Sequence, residues 1–490
     1  MLDLIINGNN YHYSFEQLIR VFLPDVKLNK LYHSPCTQGD FVLCESIQKE
    51  KSVDVRVILS YAQYYKEASS STTGENLYKS GELRACQLLF KMLKECFSYT
   101  PEWGIQTGVR PTKIYFNLLR NNCSEDALKY LREELFISEQ KIALMKKVCE
   151  NEAPIIASSS PEQFSLYISI PFCPSRCAYC SFISHAYDSI KKLIPQYIEL
   201  LCLELREIAS ISNELGLKLR TVYIGGGTPS LLEIEQLDKI FHAITEQFDL
   251  RELTEFTLEA GRPDTLSEEK LRFIKDSPVT RITINAQSFN NDVLKNIGRN
   301  HTAEDVYTAY AFARKLGFDN INTDLIAGLE GESVESFLFS VKEAIRLGAE
   351  NITIHTLALK RSSFLITRDN TKGRIIANTS EMIRRANLLL TQAGYEPYYM
   401  YRQSKSVGNL ENTSYAKVGK KCEYNVFMME EVQNVTGAGA GAVTRLIDNH
   451  GVVIERVYNF KYPYEYINDF ESILKRKQNI KERLINLLNP

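Results

Sequence analysis

Apolar and polar residues alternate in short runs over the first 65 residues of the chain, as in LDLIING, FVLCESI and VDVRVILSY. This two-residue period predicts β-strands, and the amphipathic segment SFEQLIRVFL among them predicts a helix. From Gly74 to Asn151 the period becomes helical, most clearly in GELRACQLLFKMLKECF. The pattern predicts an α+β domain over residues 1–151.

A different pattern begins after EAPIIASSSPEQ, residues 152–163, whose two prolines and serine run predict a linker. Short apolar runs, each followed by an amphipathic stretch, then predict six successive βα units and a parallel sheet. The predicted strands are 164–170, 221–225, 254–259, 280–285, 320–325 and 351–357. We therefore predict an α/β core over 164–370, curled into all or part of a barrel, with ligands at the carboxyl ends of the strands.

The remaining residues, 371–490, have a mixed and less regular pattern, and we expect them to cover the substrate. The composition mainly excludes classes of function. The formal charge of -2 gives no general attraction for nucleic acid, so an acidic substrate would need a local group of Lys and Arg. No window approaches 18 uninterrupted apolar residues and the N-terminus lacks a basic leader, which predicts a cytoplasmic protein without membrane insertion.

Three of the eleven cysteines lie close together in IPFCPSRCAYCSF, directly after the first strand of the core. Cys173, Cys177 and Cys180 could be small buried apolar residues, but a loop with two prolines can bend three thiols toward one point. Zinc would need a fourth ligand, and the chain has no second CxxC or HxxxH. A 4Fe-4S cluster can be held by three cysteines, so we favour an iron–sulfur site.

Several polar residues and two glycine-rich stretches also lie at predicted strand ends. VYIGGGTPSLL enters a triple glycine, which by itself indicates only a tight turn. Glu259, Gln287 and Asp324 end strands, where a solvated surface acid or a helix cap is the alternative to a binding role. VTGAGAGAVTRL is a poor phosphate loop because no GK[ST] follows, and we assign His355 no catalytic role.

The CxxxCxxC spacing is the signature of the radical S-adenosylmethionine (SAM) superfamily. With Tyr167 six residues before the first cysteine and Pro171-Phe172 next to it, the segment from Tyr167 to Arg445 resembles the oxygen-independent coproporphyrinogen III oxidase (coproporphyrinogen dehydrogenase) family. EWGIQTGVRPTK in the N-terminal part resembles that family's longer, HemZ-type branch. The resemblance implies a partial (β/α)6 radical SAM barrel between the α+β domain and the mixed C-terminal region.

The resemblance also implies the cofactors and their contacts. The three cysteines would hold a 4Fe-4S cluster. Main-chain groups of the glycines and the Glu259 carboxylate would contact the methionyl end of SAM, and Arg299 would pair with its carboxylate. Asp324 would contact the ribose, and Ala358 would contact the adenine. The implied SAM contacts are Tyr167, Tyr179, Gly226, Gly227, Thr228, Glu259, Gln287, Arg299, Asp324 and Ala358.

By resemblance, the expected reaction converts two propionates of coproporphyrinogen III to vinyl groups through a 5'-deoxyadenosyl radical, giving protoporphyrinogen IX. A flavodoxin or ferredoxin would donate electrons. Two positions depart from the family's best-known members, which have a cysteine at the position of Phe182 and a histidine at that of Ser169. A haem chaperone and a haem-modifying methyltransferase are the alternatives. The candidate partners for the propionates are Lys360, Arg361, Arg368 and Arg402.

Overall fold

The computed structural model describes residues 1–34, 39–121, 123–180, 185–358, 372–448 and 453–488. The chain divides into two compact units. The first unit is Met1–Lys146 with Arg402–Glu411, and the second is Lys147–Tyr401 with Asn412–Pro490.

The first unit contains a five-stranded sheet in the order β2-β1-β3-β4-β5. Strand β1 pairs in parallel with β2 and β3, while β3, β4 and β5 form an antiparallel meander. The elements are β1 (Leu2–Asn7), α1 (His12–Phe22), β2 (Leu28–Tyr32), β3 (Phe41–Gln48), β4 (Val53–Tyr61), β5 (Tyr64–Thr72), α2 (Leu77–Phe97), α3 (Pro111–Asn121), α4 (Ser124–Glu133) and the start of α5 (Glu139–Ala157).

The core of the first unit lies between one face of this sheet and helices α1 and α2. Val55 and Val57 are two residues apart on β4, so both side chains lie on the face that packs against the helices. Phe15 of α1 and Leu89 of α2 belong to the same core cluster. Helix α2 begins where the Asn76 side chain accepts a hydrogen bond from the amide of Lys79, at 3.1 Å. The α+β expectation for this part of the chain is confirmed.

The second unit contains the predicted α/β core. Its elements are β6 (Gln163–Ile170), β7 (Phe172–Cys173), β8 (His185–Ala186), α6 (Tyr187–Ile190), α7 (Ile194–Glu214), β9 (Lys218–Gly226), α8 (Ile234–Gln247), β10 (Glu255–Leu258), α9 (Glu268–Lys275), β11 (Arg281–Thr283), α10 (Asn291–Asn296), α11 (Ala303–Lys315), β12 (Ile321–Ala327), α12 (Val334–Arg346), β13 (Asn351–Thr356), α13 (Lys372–Gln392), β14 (Glu396–Arg402), β15 (Glu411–Ala416), α14 (Glu423–Glu430), β16 (Asn434–Ala438), β17 (Val443–Ile447), β18 (Val453–Tyr458), α15 (Pro463–Asn468) and α16 (Phe470–Leu488). Within the described ranges of both units, no helix is long and apolar enough to cross a membrane.

An eleven-stranded sheet runs through this unit in the order β14-β15-β13-β12-β11-β10-β9-β6-β16-β17-β18. Six of these strands, β6 and β9–β13, are parallel neighbours, which confirms the six predicted βα units. The C-terminal region extends the same sheet, because β15 pairs antiparallel with β13 and β16 pairs parallel with β6. Parallel strands bring the carboxyl ends of β6 and β9–β13 to one edge.

The structure corrects the predicted linker at 152–163. Helix α5 continues through Pro154 to Ala157, and the boundary between the units falls inside this helix, after Lys146. Proline removes one helical hydrogen bond, but Ile155 and Ile156 pack against a core cluster of the second unit, and this burial outweighs the loss. The segment without regular structure is therefore shorter than the composition indicates.

The segment Arg402–Glu411 belongs to the first unit, although we placed it in the C-terminal region. The buried Glu411 carboxylate accepts hydrogen bonds from Lys141 Nζ at 2.6 Å and from Trp103 Nε1 at 2.8 Å. A buried carboxylate is stable only when it is paired, so this ion pair holds the segment in the first unit. The two members are 270 residues apart, a separation that local sequence pattern does not reveal.

Candidate functional site

The cysteine loop begins at the carboxyl edge of the sheet, immediately after β6. Cys173 ends β7, and the loop that follows carries the other two cysteines. The amide of Ala178 donates to the Ile297 carbonyl at 3.0 Å, which anchors the loop next to the segment after α10. Cys177 is buried, whereas Cys173 and Cys180 are half-buried.

Two polar side chains from other loops point at these thiols. Thr228 Oγ1 lies 3.5 Å from Cys173 Sγ, and Arg262 Nη1 lies 3.8 Å from Cys177 Sγ. Such donors stabilise thiolates, which are the form that binds iron. In the described part of the chain, no three Cys, His, Asp or Glu side chains converge on one ion-sized point. Three thiols on one short loop, two of them with a polar donor beside the sulfur, are a donor set that fits a 4Fe-4S cluster.

The triple glycine at the end of β9 is required by close packing. A Cβ on Gly225 would lie 2.8 Å from the carboxyl carbon of Glu259, and one on Gly227 would lie 2.5 Å from the Phe172 carbonyl oxygen. The amides of Gly227 and Thr228 donate to the carbonyls of Ile170 and Phe172, at 2.8 and 2.7 Å. These two amides are therefore engaged by the end of β6 and by the cysteine loop, and the Thr228 carbonyl accepts the amide of Leu231 at 2.9 Å. The contact of this segment with SAM stays a prediction.

Three of the predicted SAM contacts form one hydrogen-bonded chain. Tyr179 donates its hydroxyl to Gln287 Oε1 at 2.9 Å and accepts a hydrogen bond from Arg299 Nη2 at 2.9 Å. The Gln287 backbone has φ +66°, a conformation that non-glycine residues rarely adopt outside functional sites and tight turns. Arg299 Nε is buried and has no hydrogen-bond partner in the described residues. A guanidinium in this state fits the carboxylate of SAM.

Replacing Arg299 by alanine is expected to weaken SAM binding by tens of fold while the iron content stays near normal. The reason is that a charge-assisted hydrogen bond contributes about 2–3 kcal/mol. Equilibrium dialysis of SAM against cluster-loaded protein measures the change. Arg272→Ala, which removes an exposed guanidinium paired with Glu268, is the matched control. An unchanged affinity in the Arg299 variant would contradict the assignment.

Two predicted SAM contacts are carboxylates whose pKa values shift in opposite directions: Glu259 directly follows β10, and Asp324 lies inside β12. Burial raises the pKa of Glu259 to about 7, although a hydrogen bond from Tyr223 opposes this. Asp324 is also desolvated, but His355, with Nε2 3.6 Å from its Oδ2, and Asn322 outweigh that effect and lower its pKa. The surroundings therefore favour the ionised form of Asp324 and disfavour that of Glu259.

The remaining predicted contacts lie at the same edge. Tyr167 is half-buried on β6, and its ring stacks on that of Tyr223 at 6.3 Å between centroids. Ala358 comes two residues after the end of β13. Asp324 is joined to Gln287 because its carbonyl accepts the Gln287 amide at 2.8 Å. Phe182 lies outside the described residues. The SAM-binding roles of these residues stay predictions.

The second glycine-rich stretch includes the turn that joins β16 to β17, and this turn lies at the same edge. Gly439 donates its amide to Glu204 Oε2 at 2.7 Å, and Ala440 donates to the Tyr197 hydroxyl at 2.8 Å. A Cβ on Gly439 would lie 2.5 Å from the Tyr197 hydroxyl oxygen, so glycine is required by contact with α7. The main-chain amides of this loop bind protein groups, in agreement with the poor match to a phosphate loop.

The structure corrects one candidate partner for the propionates. Arg402 is 2% exposed, donates to the carbonyl of Gln106 at 2.7 Å and stacks on the ring of Trp103. Its guanidinium is therefore used inside the first unit. The other three candidates lie in 359–371, outside the described residues.

Sequence analysis missed two residues that the structure places at the site. Tyr223 hydrogen-bonds Glu259, and Arg262 holds the cysteine loop through Cys177 while forming an ion pair with Asp264 at 3.0 Å. The alternation along β9, which puts Tyr223 on the same face as Gly225, could have indicated the first. No local signal separates Arg262 from an ordinary surface arginine.

Comparison with known proteins shows the family to which the chain belongs. The family model of the radical SAM superfamily matches residues 167–344. Coproporphyrinogen III oxidase (HemN) from Escherichia coli has a similar structure, with a TM-score of 0.50 and 20% identity over 65% of this chain and 71% of that one. At this identity the likeness shows the fold. The fold is thus that of a radical SAM protein, and members of this superfamily use a 4Fe-4S cluster and SAM.

Two curated relatives refine the placement. The oxygen-independent coproporphyrinogen-III oxidase-like protein HemZ of Bacillus subtilis is 33% identical over 98% of this chain and 97% of its own length. The heme chaperone HemW of Lactococcus lactis is 33% identical over 65% of this chain and 80% of its own length. The chain belongs to the oxygen-independent coproporphyrinogen-III oxidase-like family of radical SAM proteins.

Proposed function

We propose that this protein catalyses the oxygen-independent oxidative decarboxylation of coproporphyrinogen III to protoporphyrinogen IX. One observation carries the proposal. The cysteine loop and the predicted SAM contacts lie at one edge of the sheet, in a chain that is similar over nearly its whole length to an oxidase-like protein. A flavodoxin or ferredoxin as electron donor belongs to the same proposal.

Cys173, Cys177 and Cys180 would hold the cluster, and the cluster and SAM, when bound, would supply the radical chemistry needed to take a hydrogen atom from a propionate β-carbon. The residues of the chain bind SAM and orient it. Arg299 neutralises the SAM carboxylate, while Tyr179 ties this guanidinium to Gln287 at the end of the neighbouring strand. Glu259 and Asp324 offer negative charge to the methionyl ammonium and hydrogen-bond acceptors to the ribose. These contacts fix the cofactor relative to the substrate, which is the protein's part in such chemistry.

After the hydrogen atom is removed, loss of carbon dioxide and one electron to an acceptor leaves a vinyl group. The four propionates of the substrate require cationic partners, because burying an unpaired carboxylate is costly. Lys360, Arg361 and Arg368 stay the candidates for this role, which the structure does not describe.

The proposal is tested with anaerobic, dithionite-reduced protein given SAM and coproporphyrinogen III. We expect deoxyadenosine, carbon dioxide and a divinyl porphyrinogen, identified by mass spectrometry. Cys177→Ala protein should form none of them. If the wild type cleaves SAM but leaves all four propionates intact, the decarboxylation proposal is wrong.

Phe182 provides a separate test of the same activity, because well-known relatives in the resembled family have cysteine there. Phe182→Cys protein is expected to turn over at the wild-type rate if this branch works without the fourth cysteine. A large gain in rate would mean that the natural protein lacks a catalytic part.

A haem chaperone is the second candidate. Its support is the similarity to HemW, which covers 65% of this chain, together with the absence of the fourth cysteine. Haem that co-purifies with the protein, combined with intact propionates in the assay above, would favour this function. Methylated or ring-opened tetrapyrrole would favour the haem-modifying alternative.

A further inference from the structure

Tyr223 lies beside the predicted SAM contacts without being one of them. Its hydroxyl donates to Glu259 Oε1 at 2.6 Å. In the parallel pairing of β9 and β10, Tyr223 stands opposite Thr257, two residues before Glu259. The two-residue alternation therefore puts Tyr223 and Glu259 on the same face of the sheet.

Gly225 makes this approach possible. A Cβ at Gly225 would lie 2.8 Å from the carboxyl carbon of Glu259 and 2.9 Å from Cε1 of Tyr223. Any side chain at this position would push one of the two groups away. The first glycine of the triple glycine thus serves the contact between Tyr223 and Glu259.

The Tyr223 ring is itself held in place. It stacks on Tyr424 with 4.5 Å between centroids and an interplanar angle of 24°, and on Tyr167 at 6.3 Å and 26°. Since aromatic stacking restricts rotation of the ring, the hydroxyl is preorganised toward the carboxylate. A single water molecule in place of the hydroxyl would lack this constraint.

We propose that Tyr223 is a positioning residue that orients the Glu259 carboxylate and favours its anionic form, so that it can receive the cationic amine of SAM. The inference rests on the proposed role of Glu259 as a SAM contact and is independent of the substrate. If this is so, the affinity for SAM decreases at low pH as Glu259 is protonated, and Tyr223 determines the pH at which this decrease occurs.

The charges around Glu259 give the sign of the effect. Burial raises the pKa of Glu259 to about 7, the Tyr223 hydrogen bond lowers it, Asp324 raises it and His355 lowers it. Tyr167 and Tyr424 also face this carboxylate and are neutral at pH 7, because burial raises the pKa of each phenol. Below the pKa of Glu259 a proton competes with the SAM amine. Removing the Tyr223 hydroxyl moves this competition to higher pH.

The test is equilibrium dialysis of SAM against cluster-loaded, unreduced protein between about pH 6 and pH 8. Each variant is compared with the wild type at the same pH, so that partial deprotonation of the α-amino group of the ligand near pH 8 affects both equally. A shift of one pKa unit corresponds to about a tenfold change in affinity on the acid side. For Tyr223→Phe we expect about tenfold weaker binding near pH 6.5 and a smaller loss near pH 8. The iron content should equal that of the wild type. Tyr424→Phe, which keeps the stacked rings and the hydrogen bond, should retain the wild-type profile.

The Glu259→Gln variant distinguishes the role of Glu259 in binding SAM from the role of Tyr223 in positioning Glu259. This variant should bind SAM weakly and without an acid-side fall, and adding Tyr223→Phe to it should cause no further pH-dependent loss. Unchanged binding by Glu259→Gln would overturn the role of Glu259, whatever the decarboxylation assay shows. A Tyr223→Phe loss that is equal at every pH, or that persists undiminished in the Glu259→Gln background, would overturn the role of Tyr223.

Discussion

Alanine at Cys173, Cys177 or Cys180 is expected to abolish the iron–sulfur absorbance of anaerobically purified protein. Each thiolate would hold a different iron of the cluster, so the loss of one leaves two attachment points on a loop. Cys177 is the most enclosed of the three, because its thiol is buried and lies 3.8 Å from Nη1 of Arg262. Iron and sulfide analysis with the ultraviolet–visible spectrum measures the outcome.

Cys202→Ala is the matched control for this series. Its thiol is also buried, but it lies on α7 and contacts the Lys239 carbonyl. This variant should keep the full iron content. A comparable loss of iron from the control, or retention of the cluster in any of the three variants, would show that the ligand set is different.

Lys477→Met is expected to destabilise the second unit by about 3–5 kcal/mol, because it leaves a buried carboxylate without its counter-charge. Lys477 Nζ lies 2.9 Å from Glu204 Oε1, with side-chain exposures of 2% and 0%. Glu204 also binds the Gly439 amide and the Tyr466 hydroxyl, so the variant should loosen the glycine-rich loop at the site edge as well. Denaturant unfolding, followed by the tyrosine signal, measures the change in free energy of unfolding.

The neighbouring Lys481 provides the control. It lies one turn further along α16 and pairs with the exposed Glu214 at 2.7 Å. Surface ion pairs contribute about 0–1 kcal/mol, so Lys481→Met should change stability little. If both methionine variants lose the same stability, the buried pair has no special role. A Lys477→Met/Glu204→Gln double variant should recover part of the loss.

The regular part of the fold could be predicted from the sequence because burial repeats with the period of each element. The strand predicted at 351–357 is Asn351–Thr356, and the one predicted at 164–170 is Gln163–Ile170. Parallel strands buried on both faces are continuous apolar runs, and these are visible without any knowledge of partners. The linker prediction was wrong because Pro154 and the serines give a local signal, whereas the packing of Ile155 and Ile156 is not local.

The site was predictable where a residue type follows a strand end. Glu259 directly follows β10 as predicted, whereas Asp324 lies inside β12, three residues before its end, because this strand is longer than its predicted bounds. Their roles in binding SAM stay predictions. The hydrogen bonds of Tyr179 to Gln287 and Arg299 join residues 108 and 120 positions apart, so spacing does not reveal them. Arg402 was predicted as a partner for propionates, but its guanidinium donates to a main-chain carbonyl of the first unit, that of Gln106.

By itself the sequence determined the order of strands and helices, the cysteine loop and the polar residues at the strand ends, because these depend on local period and on residue type. Only the tertiary structure decided that Tyr223 meets Glu259, that Gly225 makes room for both, and that Lys477 compensates Glu204. These pairs depend on which side chains face each other across the folded sheet. Close packing and the cost of burying unpaired charge act on distances in space, which the order of residues along the chain does not contain.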